Sequence, residues 1–556
     1  MKYFRKTLSL ILVAIIVVSA GSVSVSASAD NEQTPIVYIR GNGEPLYNAD
    51  GERIAAEMED VSLGGDDDGD MTDTIIETAT NILKPFLLEG LLKDEWDNYG
   101  KAVYDELSPL FEQAILDGDG NPKYGTGVHP DTLKKSEAQT LIDKGADGVY
   151  DLYDYSFVFD WRLDPYAHVD RLHNHIKTIL STTGESQVSL VSRCLGGAII
   201  NAYLEKYGSE KLIKNVMYTE TMSNGASLIS KGFSGQLEFD SVAVQRYAGQ
   251  MMHSGKTGYG IKLSVPALAE EIIKNTLDLL TQTGALDKVL FSVELLYEKL
   301  YKALVPALFH ALGYGSQPIY WTCVTEEDFD LALDVMFGEE GSEGREYYAG
   351  MIDKILYYRE HITSKLPELY ATFTDEYGVH IGAVVKYGYI NDPVTVGREE
   401  LSDGLVSLKD ASFGATTAKA DSTLTDDYIN ALVADGKGKY LSPDKEVDTS
   451  TAFFPDTTWV IKNIHHNITG IENTIAVDFC RRTNATVDDS AYPRFIIYDE
   501  FSKKWTAMTE DNCADLDFMS LPEEEPTTET KLAALMRFLT SFFKFIAALF
   551  KGKVSL

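Results

Sequence analysis

Cys194 stands between two small residues, Ser192 and Gly196, in the run Val188-Ser189-Leu190-Val191-Ser192-Arg193-Cys194-Leu195-Gly196-Gly197. An apolar strand that ends in a small-x-nucleophile-x-small turn and passes straight into a helix is the nucleophile-elbow pattern. Small side chains are needed two positions either side, because the strained turn brings helix and strand close together. A thiol at that apex attacks acyl carbonyls as its thiolate, which a nearby imidazolium and a helix N-terminus both favour. Farther along come Asp403, in Asp403-Gly404-Leu405-Val406-Ser407-Leu408, and the adjacent pair His465-His466. Nucleophile, then acid, then histidine is the chain order in which a doubly wound sheet can present a triad. In such a triad the acid orients an imidazole, and the imidazole takes the proton of the nucleophile. His466 is the first choice of base and His465 the alternative. The backbone N–H of Leu195 would be one oxyanion donor, and the turn Gly41-Asn42-Gly43 would supply the other through Asn42 or Gly43. One such donor is worth about 10²–10³ in rate.

These groups need a scaffold that converges on one edge of a sheet. Apolar strands are expected at Pro35–Ile39, Tyr155–Trp161, Val188–Arg193, Lys214–Thr219, Gly382–Tyr389 and Thr458–Lys462. Helices are expected at about 167–180 and 198–206, so strands and helices alternate. That pattern predicts an α/β fold with a doubly wound, mostly parallel sheet. Residues of about 225–370 have helical periodicity, clearest from Leu263 to Leu312, and read as a helical lid or cap inserted between strands. The main domain would span 30–472. Thr474–Met508 reads as β-hairpins with strands Thr474–Phe479 and Arg494–Tyr498, giving a small β-rich extension over 473–520. Pro522–Thr530 marks a linker at 521–530. The tail, 531–556, reads as an amphipathic helix with Leu532, Leu535, Met536, Leu539, Phe542 and Phe543 on one face and Arg537, Lys544 and Lys551 in a stripe. Such a helix suits a membrane surface; the alternative is a helix packed onto its own protein or a partner chain.

With 556 residues and 44% apolar content the chain can bury a large core, and a formal charge of −36 disfavours nucleic acid as a partner. Lys2, Arg5 and Lys6, the apolar stretch Leu8–Ala20 and Ala27-Ser28-Ala29 form a secretory signal over 1–29, so the protein is expected to be secreted or on the cell surface. Four cysteines in a chain of this size are no disulfide scaffold, although Cys480 and Cys513 fall in one segment and could pair.

Phe159-Asp160-Trp161-Arg162-Leu163-Asp164, the elbow run and the Asp403 segment together resemble the lecithin:cholesterol acyltransferase-like lipases. The likeness covers about 150–222 and 390–412. It implies an α/β-hydrolase that acts on lipid or other acyl esters, by hydrolysis or acyl transfer and without a cofactor. Cysteine replaces that family's serine, Ser192 its glycine, and Arg40 stands where histidine or proline is common. Locally the Cys-x-Gly-Gly run is also similar to dienelactone hydrolases and polyhydroxyalkanoate synthases. The alternative to a working site is a cell-surface binding protein in which Cys194 is a small buried apolar residue.

Other segments are weaker. Asp66–Asp70 and Asp117–Asn121 have calcium-loop composition, but Met71 and Pro122 occupy the sixth place where such loops need glycine, so solvated turns are expected. His168, His173 and His175 are not spaced i, i+4, and read as helix-surface residues rather than metal ligands.

Overall fold

The computed structural model describes residues 34–42, 44–54, 81–143, 149–254, 267–391, 394–500 and 502–516, and in the tail 527, 530–531, 533–537 and 539–540. Eight strands form the principal sheet: β1 (Ile36–Ile39), β2 (Tyr155–Phe157), β3 (Val188–Arg193), β4 (Ile213–Thr219), β5 (His380–Tyr387), β6 (Thr458–Lys462), β7 (Phe495–Asp499) and β8 (Lys504–Ala507). Their spatial order is β8-β7-β6-β5-β4-β3-β1-β2. Every neighbouring pair is parallel except β7 with β8, which closes one edge antiparallel.

The chain thus enters at β1, moves to β2 on one side, then crosses to β3 on the other. That reversal puts a crevice at the carboxyl ends of β1 and β3, the place where open α/β sheets bind ligands. With its flanking helices this is an α/β-hydrolase-like fold.

The strands are nearly continuous apolar runs because both faces of the sheet are covered. Successive side chains alternate between two cores: Val37, Leu190, Val216, Val385 and Val460 on one side, and Ile36, Val191, Met217, Val384 and Ile461 on the other. Nine helices matter here: α1 (Asp97–Phe111), α2 (Tyr166–Thr183), α3 (Gly196–Tyr207), α4 (Ser227–Ser234), α5 (Ala267–Gln282), α6 (Ala285–Ala311), α7 (Phe329–Phe337), α8 (Ala349–His361) and α9 (Glu472–Arg481). Helices α2 and α3 bury Val169, Leu172, Ile176, Ala198, Ile199 and Tyr203 in the first core. Helix α9 buries Ile475, Ala476, Phe479 and Cys480 in the second.

Between β4 and β5 the described residues are mainly helical. The centre of this segment is aromatic: Phe233 and Phe337 each lie 5.0 Å from the ring of Trp321. Helix α6 lies so close to α1 that a Cβ at Gly100 would come within 2.4 Å of the Ala303 carbonyl oxygen.

Four expectations change. Thr474–Phe479 is helix, not strand: Glu472, Ile475, Ala476, Phe479 and Cys480 are buried at helical spacing against the sheet, and that packing overrides the β-branched composition. Phe495–Asp499 and Lys504–Ala507 do form a hairpin, but it extends the principal sheet instead of standing apart. Cys480 and Cys513 are unpaired, because Cys480 lies in one core and Cys513 packs against the other. His168, His173 and His175 are buried on α2, where His168 Nε2 lies 2.9 Å from the Asp160 carbonyl, His175 packs on Phe157 and His173 stacks on Tyr207.

The secretory signal, Gly43, Asp66–Asp70 and most of the linker and tail lie outside the described residues. At Asp117–Asn121 a tight turn is closed by Asp117 Oδ1, which accepts the N–H groups of Asp119 and Asn121. Among the described residues no group of three or more side chains could hold a metal ion, and no helix is long and apolar enough to cross a membrane.

Candidate active site

Strand β3 ends at Arg193, and Cys194 adopts φ +53° before α3 begins at Gly196. A non-glycine residue in that left-handed region is strained and must be held by its surroundings. The hold is visible on every side. The Cys194 N–H donates to the Thr219 carbonyl at 3.2 Å, and the Cys194 carbonyl accepts from the N–H groups of Gly197 and Met222 at 3.3 and 3.4 Å. A Cβ on Gly196 would come within 2.2 Å of the Ile39 carbonyl oxygen, which explains the small residue two places after the apex. One on Gly41 would lie 2.9 Å from both Cys194 Cβ and the Leu195 nitrogen.

The thiol is 5% exposed, and its Sγ lies 3.4 Å from Met222 Sδ. Leu195 is the residue before α3, so its N–H stands at the positive end of that helix. Asn42, half-buried, follows the glycine that touches the elbow.

Asp403 lies in the loop after β5, with Asp403 Oδ1 accepting the N–H groups of Leu405 at 3.0 Å and Val406 at 2.8 Å. Its Oδ2 is 2.8 Å from His466 Nδ1. Both side chains are buried. The two backbones are tied as well, since the His466 N–H donates to the Asp403 carbonyl at 2.8 Å.

Burial opposes charge on His466, but the Asp403 carboxylate outweighs it, helped by a hydrogen bond with Asp403 and another with the Cys194 side chain. The net effect raises the imidazole to about 10. For Asp403 burial pushes upward, and the charge and hydrogen bond of His466 hold the carboxyl below its ordinary value. With Nδ1 engaged by the carboxylate, Nε2 is the ring nitrogen left for the thiol. The neighbouring His465 turns away: its Nδ1 accepts the Asn467 N–H at 3.2 Å and its ring packs edge-on against Tyr389.

A cleft of about 310 Å³ opens beside the elbow, lined by Tyr38, Arg40, Gly41, Phe159, Arg193 and Thr469 among others. The run from Phe159 to Asp164 serves the scaffold: Arg162 is fully buried, clasped by Asp160 and bonded to the carbonyls of Ala114 and Thr126. Sequence reasoning missed Met222 beside the thiol, and a buried ion network of Arg193, Glu220, Lys386 and Glu472. Lys386 was the available signal, since a lysine inside the apolar strand Gly382–Tyr387 needs a buried partner.

No family profile and no curated protein matches this chain. Among solved structures, a chain of "The crystal structure of Tle4-Tli4 complex" aligns over 92% of this chain and 99% of its own, at 11% identity and a TM-score of 0.25. A likeness that slight carries no argument about this protein.

Proposed function

We propose that the protein hydrolyses acyl esters, with lipid esters as the favoured class, through a Cys194–His466–Asp403 triad. The reading rests above all on one observation: a buried Asp403–His466 pair whose free ring nitrogen faces a thiol held at φ +53° on a strand-to-helix turn. The resemblance to lecithin:cholesterol acyltransferase-like lipases supports the lipid class.

In the first half-reaction His466 already holds the thiol proton as a thiolate–imidazolium pair with Cys194, and the sulfur attacks the ester carbonyl, forming the S–C bond. The N–H of Leu195 and the turn at Asn42 and Gly43 receive the negative oxygen. Collapse breaks the C–O bond, and the alcohol leaves with the proton from His466. In the second half-reaction His466 takes a proton from water, which attacks the thioester. A carboxylic acid leaves and the thiol is restored. Asp403 keeps the ring in the tautomer that presents Nε2 and stabilises its cationic form. The N-terminal signal would put this chemistry outside the cell, and the C-terminal helix would bring it to a lipid surface.

The test is release of free carboxylic acid from a panel of short- and long-chain esters, with an alcohol added in parallel reactions. Release that disappears in Cys194→Ala and His466→Ala supports the reading. Undiminished release in Cys194→Ala removes it, and products formed only when the alcohol is present would make the enzyme an acyltransferase.

A further inference from the structure

The loop that carries His466 runs from β6 to α9, and it is gripped from behind by four charged side chains. Arg193, which ends β3, pairs with Glu220 just beyond β4 at 3.0 Å. Glu220 also pairs with Lys386 of β5, and Lys386 with Glu472 at the start of α9, at 3.1 Å. Positive and negative groups alternate along the row, and Glu220, Lys386 and Glu472 are each no more than 1% exposed.

Every loop residue from 466 to 470 except Asn467 is bonded to this row. Arg193 Nη2 donates to the His466 carbonyl at 2.5 Å, and Nη1 donates to Thr469 Oγ1 at 3.0 Å. Lys386 Nζ donates to the Ile468 carbonyl at 2.8 Å. The Gly470 N–H donates to both carboxylate oxygens of Glu472, at 2.9 and 2.8 Å.

A buried ion row is seldom needed for stability, because well-packed apolar side chains of similar volume often serve as well or better. What apolar side chains cannot do is hold backbone carbonyls and N–H groups at fixed points. His466 is therefore pinned at three atoms: its N–H on the Asp403 carbonyl, its carbonyl on Arg193 and its Nδ1 on the Asp403 carboxylate. Removing Glu220 leaves Arg193 without its ion partner, and removing Lys386 leaves Glu472 without its own, so the row behaves as a unit.

We infer that Arg193 is a positioning residue for the histidine base, locked in place by Glu220, Lys386 and Glu472, a role that builds on the reading of His466 as base. The residue next to the nucleophile thus also fixes the residue that activates it, so strand β3 sets both ends of the Cys194–His466 contact. A shift of about 1 Å at such a contact costs on the order of 10²-fold in rate. Lysine at 193 can keep the ion pair with Glu220, but it lacks the planar fork that reaches the His466 carbonyl and Thr469 together.

The test measures the rate of Cys194 alkylation by iodoacetamide across pH in the full-length protein, Arg193→Lys, Glu220→Gln and His466→Ala. Hydrogen–deuterium exchange of the peptide covering 463–470 is read on the same samples, with melting curves to confirm folding. The expected result for Arg193→Lys is a folded protein whose alkylation profile moves toward that of His466→Ala, with loop exchange faster by about 10-fold or more. Wild-type profile and wild-type loop protection in both Arg193→Lys and Glu220→Gln would overturn the inference. Should wild type and His466→Ala share one profile, the reading of His466 as base falls, and loop protection alone then decides whether the row anchors the loop.

Discussion

Asp403 Oδ2 and His466 Nδ1 are 2.8 Å apart, while the backbones of the same two residues are joined by a second hydrogen bond of 2.8 Å. The ring and its orienting carboxylate are therefore one rigid unit built from two loops that are far apart in sequence. Such a unit costs desolvation of both groups, and the charge on each offsets the burial of the other. It holds the ring so that one nitrogen is left for a third partner.

Asp403→Asn keeps the size of the side chain and removes its charge. An asparagine amide can present its N–H₂ to Nδ1, which selects the wrong tautomer. The folded protein is expected to lose about 10³–10⁴ in kcat on its best ester, with a much smaller change in KM. Steady-state kinetics on the purified variant checks this, and retention of more than a tenth of wild-type kcat would exclude Asp403 as the orienting acid.

The same pair makes stability depend on pH in a defined window. The folded imidazole keeps its proton up to about pH 10, whereas an unfolded histidine releases it near pH ~6.5. Its contribution is complete below ~6.5 and is lost as pH rises toward 10. Asp403 works in the opposite direction: its contribution is present above ~3.9 and is lost as pH falls through its lowered folded value. The melting-temperature difference between wild type and His466→Gln should be largest near pH 6 and should shrink steadily toward pH 10.5. A difference that does not change across that range would show that the ring is neutral in the folded protein.

Two glycines make contrasting predictions. Alanine at 196 would put its Cβ 2.2 Å from a backbone oxygen of β1, with no flexible side chain to give way. Gly196→Ala is expected to lose about 3 kcal/mol or more, measured by denaturant unfolding. Gly41→Ala meets Cys194 Cβ and the Leu195 nitrogen at 2.9 Å, a gentler overlap located on the elbow itself. It should cost about 1–3 kcal/mol in stability and about 10²-fold in activity. Equal activity in Gly41→Ala and wild type would mean that the elbow tolerates displacement.

Much of this was legible in the sequence. The elbow declared itself because the small residues around Cys194 answer a local steric demand, which composition records directly. Strands β1, β3, β4, β5 and β6 were legible because burial on both faces leaves nearly continuous apolar runs. Where composition and packing disagree, sequence misleads. Thr474–Phe479 is rich in β-branched residues, yet Ile475, Ala476 and Phe479 meet the sheet at helical spacing. Spacing alone puts the histidines of α2 on its surface, whereas ring contacts of His175 with Phe157 and of His173 with Tyr207 take them inside. The choice between His465 and His466 depends on how a loop turns after β6, and that turn is fixed by Arg193 and Lys386, which are distant in sequence.

The tail joins the rest of the molecule through Arg537, which pairs at 2.6 Å with Asp278 of α5, while Ala534 is buried. Truncation after Pro526 is expected to leave a folded, soluble protein with several-fold weaker binding to lipid vesicles in a co-sedimentation assay. Equal binding by the truncated and full-length proteins would remove the tail from the lipid-surface role.

Intact-mass spectrometry of the full-length protein mixed with a slowly hydrolysed acyl ester tests the thiol chemistry most directly. The expected spectrum gains one acyl group on Cys194, the adduct is absent in Cys194→Ala, and it persists longer in His466→Ala after the few molecules that acylate have done so. An unmodified wild-type protein across short- and long-chain esters, with its thiol also inert to alkylating agents, would mean that the elbow holds a silent cysteine.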